Sequence, residues 1–229
     1  MSGNIELQNL RTEVRRRADM EDSTFVTDAE LNNYINASVG ELYDLIIQKY
    51  GSDYYVSSST INVVSGTDSY SLPSDFYKLL GVDLVVDSDR SIALKRFMFN
   101  ERNKTIRWDR SSTYKFRYRL QGDNLVLSPE PEGAETLKLW YIPLPATLTN
   151  DTDELKGFSG WEEYVIIDAA MKCLQKEESD VSVLFAQKQA MIQRIEVAAE
   201  NRDANEASRI TDVSTDSYLN DEIDYLWRY

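Results

Sequence analysis

Residues Phe158 to Asp203, FSGWEEYVIIDAAMKCLQKEESDVSVLFAQKQAMIQRIEVAAENRD, read as two consecutive helices joined by an acidic turn. Ser159 followed by Glu162 has the spacing of a capping box, in which hydroxyl and carboxylate each satisfy an orphan amide of the first turn. Trp161, Tyr164, Val165, Ile167, Met171 and Leu174 then recur at helical spacing. The pattern falters at Lys176-Glu177-Glu178, and Ser179 or Asp180 is placed to cap a second helix. Its stripe is Val181, Leu184, Phe185, Met191, Ile192 and Ile195. So short a turn predicts an antiparallel helical hairpin. About ten large apolar side chains meet in it, each worth roughly 1.5–3 kcal/mol when fully buried. Asp168, flanked by apolar residues, is expected either to pair with an arginine across a subunit boundary or to lie on the wet side.

Upstream, Leu7, Leu10 and Val14 stripe a first helix that also carries Arg11, Arg15, Arg16 and Arg17. Such a run serves either as a phosphate-binding patch or as the solvated, salt-bridged side of an amphipathic helix, and the second role is the commoner. Thr27-Asp28-Ala29-Glu30 is another capping box. It opens a long helix faced by Leu31, Tyr34, Ile35, Leu42, Leu45 and Ile46 and closed by Gly51.

From Tyr54 the period shortens to two. Thr60 to Val64 predicts a strand, Ser65 to Asp68 a turn, and Ser69 to Leu72 a return strand. Further strands are expected over Leu79–Val86, Ile92–Phe99, Thr105–Trp108, Thr113–Leu120, Asn124–Leu127 and Glu135–Ile142, with a hairpin turn at Gly122-Asp123. Thr113 to Arg119 alternates Tyr114, Phe116 and Tyr118 with Lys115, Arg117 and Arg119, so one face packs and the other is cationic. Pro143 and Pro145 end the sheet. The expected fold class is α+β: an antiparallel helical bundle of two N-terminal and two C-terminal helices, a β-rich antiparallel insertion and an extended C-terminal arm. The corresponding divisions are 1–52, 53–145, 146–203 and 204–229.

Composition narrows the chemistry. The 229 residues include no histidine, which removes the commonest general base, proton switch and zinc ligand. Cys173 is the one cysteine, expected as a small buried hydrophobe, so neither an internal disulfide nor a metal cluster is expected. No cofactor is expected. Nothing resembles a signal peptide or a membrane span, which predicts a soluble protein of a reducing cytoplasm.

The net charge of −14 is distributed unevenly. Arg90 to Arg119 holds ten basic and two acidic residues, a net +8, which leaves −22 for the rest. Residues 204–229 carry six acidic and two basic side chains and end in Tyr218, Leu219, Ile223, Tyr225, Leu226, Trp227 and Tyr229. Four of these (Leu219, Ile223, Leu226, Trp227) have the spacing of a short docking helix. Fully extended, these residues reach about 85 Å at ~3.3 Å per residue. Terminal aromatic clusters of this kind serve as interface anchors, and folding back on the chain's own body is the plainer alternative.

Four marks now add up in order along the chain: Val26-Thr27-Asp28-Ala29-Glu30-Leu31 running on to Tyr34-Ile35-Asn36; Leu72-Pro73-Ser74-Asp75-Phe76; Leu139-Trp140-Tyr141-Ile142-Pro143; and the hairpin with Leu174-Gln175-Lys176-Glu177-Glu178 in its turn, followed by Asn201-Arg202-Asp203. Together they resemble the head-to-tail adaptors, or tail accessory factors, of short-tailed double-stranded DNA bacteriophages. The resemblance implies a structural virion protein of the neck, assembled in the host cytoplasm as a homo-oligomeric ring of about twelve copies beneath the portal protein. Such a ring closes the head, presents a surface to the tail nozzle or next tail protein, and lines the path of DNA ejection. The acidic remainder suits that path, because it repels phosphate and lets the duplex pass without specific binding. Within such a ring, the terminal aromatic residues are expected to bind portal or a neighbouring subunit. Arg107, Lys115, Arg117 and Arg119 are expected to make charge contacts between subunits.

Two other function classes compete. A virion-associated glycan-cleaving enzyme without histidine needs paired carboxylates, for which Glu162 and Glu163 or Glu177 and Glu178 are available. Each pair has an ordinary cap or turn role, and helical neighbours point in different directions. A single-stranded nucleic-acid binder would use Arg107, Lys115, Arg117 and Arg119 with Trp108 and the alternating tyrosines.

Overall fold

Where the hydrophobic period changes, the chain changes its class of element. In the computed structural model, which describes residues 5–21, 24–101, 116–156 and 160–200, a two-residue strand β1 (Ile5–Glu6) leads into helices α1 (Leu7–Arg17) and α2 (Asp28–Tyr50). Strands β2 (Ser57–Val63), β3 (Ser69–Ser71), β4 (Phe76–Val85), β5 (Ser91–Ala93) and β6 (Lys95–Arg96) follow, then a single 3-10 turn at Phe99–Glu101. After these come β7 (Arg117–Gln121), β8 (Asn124–Ser128), β9 (Glu135–Pro143), β10 (Glu154–Leu155), α3 (Glu162–Lys176) and α4 (Ser182–Glu200). The predicted strand at Thr105–Trp108 lies outside the described residues.

One core belongs to the helices. Leu7, Leu10 and Val14 of α1, Leu31, Ile35, Leu42 and Ile46 of α2, and Val165 and Ala169 of α3 are wholly or almost wholly buried in it, with Ile195 of α4. The start of α2 is fixed as its sequence requires: the Thr27 hydroxyl accepts from the Glu30 amide at 3.3 Å and the Glu30 carboxylate accepts from the Thr27 amide at 3.1 Å. A cap of this kind is worth about 1 kcal/mol. Gly51 ends the helix at φ 96°, a conformation that favours glycine.

The capping box expected for α3 does not form. The helix begins at Glu162, so this glutamate stands in the first helical position and not in the third. Trp161 occupies the cap without a side-chain bond, the Glu162 carboxylate accepts from the Gly160 amide at 3.2 Å, and Ser159 lies outside the described residues. Before α4, the Asp180 carboxylate accepts from the Ser182 amide at 2.9 Å, as one of the two expected caps. Phe185, expected in the buried stripe of α4, is instead 52% exposed, because the core-facing side of the helix is centred on Leu184, Met191 and Ile195.

The second core belongs to two four-stranded sheets, ordered β2-β9-β4-β5 and β3-β8-β7-β6. Val63, Val82, Leu84, Leu137 and Leu139 of the first sheet and Tyr118, Leu125 and Leu127 of the second share one buried cluster. All pairings are antiparallel except β6 with β7, which run parallel. The turn predicted at Ser65–Asp68 is present, with Gly66 at φ 79° and the Tyr70 hydroxyl bonded to Val64 and Thr67. The predicted hairpin is not: β2 pairs with β9 and β3 with β8, so the turn carries the chain from one sheet to the other. The hairpin at Gly122-Asp123 does form, closing the register Gln121↔Asn124 between β7 and β8.

Two joints tie the cores together. Tyr43 of α2 stacks on Tyr55 at 4.5 Å and donates its hydroxyl to the Pro143 carbonyl at the end of β9, 2.5 Å away. Burial pushes the Tyr43 phenol up to about 12, so it stays a donor. Tyr77 of β4 bonds Asp44 of α2 at 2.7 Å. The crossing segment after β9 is held by Asn36, whose side-chain amide exchanges two bonds with the Leu148 backbone at 2.8 and 2.9 Å. It is also clasped by β1 on β10, an element with no pattern long enough to be read from sequence.

Candidate functional site

The cationic strand face exists and is built on β6 and β7. Phe116 and Tyr118 point into the sheet core, 5% and 9% exposed, so alternation turns Arg117 and Arg119 outward. Lys95 is the register partner of Arg117 on the adjacent parallel strand, which sets two like charges side by side. Such a pair is destabilising unless an anion meets it. The Glu101 carboxylate is 3.8 Å from the Arg117 guanidinium and also accepts from the Met98 amide at 2.9 Å. The Arg117 guanidinium lies 5.8 Å from the Phe97 ring and that of Arg119 lies 4.6 Å from the Phe99 ring. Among the described residues, Nε of Arg117 and Nη1 of Arg119 are buried donors without an acceptor. Met98 and Phe99, 63% and 57% exposed, give the same corner an apolar rim. Arg107 and Lys115, the other two residues expected here, lie outside the described residues, as do Trp108, Tyr114 and the terminal set Tyr218, Leu219, Ile223, Tyr225, Leu226, Trp227 and Tyr229.

Single-strand binding needs aromatic faces on which bases can stack. Phe116 and Tyr118 spend theirs in the core, so of the interleaved aromatics described none is free to stack.

The remaining charged motifs have partners inside the chain. On α1, Arg11 pairs with Asp28 and Asp151, Arg15 with Asp28 at 2.9 Å, Arg16 with Glu13 at 2.8 Å and Arg17 with Glu163 at 2.6 Å. The arginine run is therefore salt-bridged, not a phosphate patch. Of the carboxylate pairs, Glu162 serves the start of α3 and Glu163 holds Arg17, while Glu177 accepts from the Ser179 hydroxyl at 3.3 Å and Glu178 turns the chain at φ 60°. Neither pair converges on a common point. Among the described residues, no three side chains of metal-binding type come together, and no helix is long and apolar enough to cross a membrane.

Asp168 corrects both sequence readings. It is buried, 4% exposed, and its cations are lysines of its own chain. Lys172 contacts one carboxylate oxygen, Lys188 of α4 the other at 2.5 Å, and the Ser38 hydroxyl of α2 donates at 2.6 Å. Glu41 of α2 closes the cluster, 2.9 Å from each lysine. The Lys188 ammonium also lies 5.3 Å from the Tyr164 ring. Burial pushes the Asp168 carboxyl up, but the bonds from Lys172, Lys188 and Ser38 outweigh it and hold it below the ordinary range. Burial likewise opposes charge on Lys188, and its bonds to Asp168 and Glu41 raise it nonetheless. The aspartate was legible as an anomaly on an apolar face, and Lys172 stands at the i,i+4 spacing of a helical ion pair, while Ser38 and Lys188 sit 130 positions upstream and 20 downstream, where no local pattern links them.

These shifts fix a pH dependence. A lowered carboxyl contributes stability above its unfolded value and loses it as pH falls through the folded one. A raised lysine contributes below its unfolded value and loses it as pH rises through the folded one. With no histidine in the chain, the side chains leave a plateau between them. Burial pushes the Cys173 thiol from 9.0 to about 11, so its share is lost as pH rises through that range. Urea midpoints at about pH 6 and about pH 8 are expected to coincide, with losses only on the acid side and above about pH 9; a slope between the first two contradicts the assignment.

Residues 5–228 match the family model described as SU10 adaptor protein. A search of the curated proteins gives no match.

Proposed function

Because the chain belongs to the SU10 adaptor protein family, a family of phage adaptors, we propose that it is a structural protein of the virion neck that joins head to tail and carries out no chemistry of its own. In this reading about twelve copies form a ring beneath the portal protein. The four helices act as an antiparallel bundle, the two sheets project from it, and the residues after α4 form the arm. The ring closes the head, offers its far side to the tail nozzle or next tail protein, and lines an exit path through which double-stranded DNA slides unbound. Assembly takes place in the host cytoplasm.

The observation that carries this reading is the family match across nearly the whole chain. The charge distribution supports it: with +8 confined to Arg90–Arg119 and −22 elsewhere, an acidic inner wall is available to repel phosphate, and a basic face is left for protein contacts. Arg107, Lys115, Arg117 and Arg119 are proposed as those contacts. Tyr218, Leu219, Ile223, Tyr225, Leu226, Trp227 and Tyr229 are proposed as the anchor on portal or a neighbouring subunit. Light scattering of the chain mixed with portal tests the reading, since a species of ring mass is expected only in the mixture.

A further inference from the structure

The last two helices are seated by different forces. α3 buries nine of its 15 residues, whereas α4 buries three of 19: Leu184, Met191 and Ile195. Val183 and Phe185 of α4 are exposed, so apolar burial does little to choose which side of this helix faces the bundle. Charge makes the choice. Lys188 reaches Asp168 of α3 and Glu41 of α2, Glu196 meets Lys49 of α2 at 2.6 Å, and the Arg194 guanidinium lies 5.9 Å from the Trp161 ring. Lifting α4 away returns Lys188, Arg194 and Glu196 to water, which solvates them and offsets the lost pairs. Asp168 keeps Lys172 and the Ser38 hydroxyl, so no buried charge is stranded.

The joint before α4 is divided in the same way. The amides of Glu177, Glu178 and Ser179 donate back to the carbonyls of Cys173, Gln175 and Leu174, which fixes them to the end of α3. Asp180 and Val181 accept from Ser182 and Phe185, which fixes them to the start of α4. The bonds part between Ser179 and Asp180, one residue after Glu178 has turned the chain at φ 60°. We infer that α4 is a latch, which opens as one unit about the Ser179–Asp180 link while α1, α2, α3 and both sheets stay folded. The chain runs on from α4 to Tyr229, so a pull on residues 201–229 acts on the latch before it reaches either core.

Native-state hydrogen exchange of the full-length chain alone, along a series of low urea concentrations, tests the latch. Amides from Leu184 to Ile195 are expected to exchange together, at least about tenfold faster than the slowest amides of α2 and α3, and with a weaker dependence on urea, because opening exposes less surface than global unfolding. Exchange of α4 and α3 at one rate with one urea dependence overturns the inference. So does protection that rises steadily from Glu200 inward, which is fraying and not a unit opening. A second readout uses the single native cysteine. Cys173 is buried on α3 with Arg15 of α1 and Glu30 of α2 as electrostatic neighbours, so it reports opening of the remaining bundle. In a Met191→Cys variant, the introduced thiol is expected to react with a thiol reagent at least about tenfold faster than Cys173. Equal rates at the two positions contradict the latch. No portal takes part in either experiment, so the outcome is independent of the adaptor reading.

Discussion

Replacing Asp168 by alanine is expected to lower the stability of the folded chain by about 3–5 kcal/mol, read from urea unfolding near neutral pH. The carboxylate answers two ammonium groups and a hydroxyl from α2, α3 and α4 at once, so its removal leaves Lys172 and Lys188 facing each other across Glu41 alone. The two lysines are not equivalent to it. Lys172→Met or Lys188→Met leaves Asp168 with one cation and with Ser38, so each single change is expected to cost clearly less than loss of the aspartate. Removing both lysines strands the aspartate, 5% exposed at its side chain, and is expected to match or exceed the Asp168→Ala effect. A double-mutant cycle between Lys172 and Lys188 should then show strong non-additivity. If Asp168→Ala costs under about 1 kcal/mol, as an ordinary surface change would, the cluster is not what holds α4 to α2.

Removing Tyr218 to Tyr229 is expected to leave the unfolding transition within about 0.5 kcal/mol and to abolish attachment to portal. The first part follows from the reading proposed above, in which these residues anchor on a partner and not on the chain's own body. The second follows from how interfaces concentrate their energy. Buried aromatic anchors of 2 kcal/mol or more dominate binding, so losing two of the aromatics Tyr218, Tyr225, Trp227 and Tyr229 weakens each contact by roughly a thousandfold. Repetition around a ring multiplies that loss. Sedimentation of the truncated protein with portal checks it. Normal co-sedimentation would remove the anchoring role of these residues.

What could be read without coordinates was whatever local chemistry determines. Thr27 and Glu30 stand at the spacing of a capping box directly before a long apolar face, and both halves of the box form. Gly122-Asp123 sits between two alternating runs, and the hairpin forms there. The cationic face on β7 followed from alternation alone. Readings failed where distant residues decide. Ser65 to Asp68 makes a sound turn, yet β9 offers β2 a seven-residue register that the short β3 cannot match, so the two strands part into different sheets. Ser159 and Glu162 have the spacing of a box, but the helix starts at the glutamate. Phe185 has the right period and the wrong phase, because the side of α4 that faces the core is set by the angle at which the helix packs. Lys188 carries no local signal that marks it, and it becomes the partner of a buried aspartate only because the turn at Glu177–Val181 brings the two helices together.

The reading of this chain as a subunit that becomes a ring only on its partner is tested most directly by the mass in solution of the full-length protein, alone and with portal, by light scattering. The account predicts a particle near 26.4 kDa alone and a large ring-sized increment on the portal in the mixture. A chain that stays at its monomer mass whether or not portal is present contradicts it, and cell-wall hydrolysis and single-strand binding then become the assays to run.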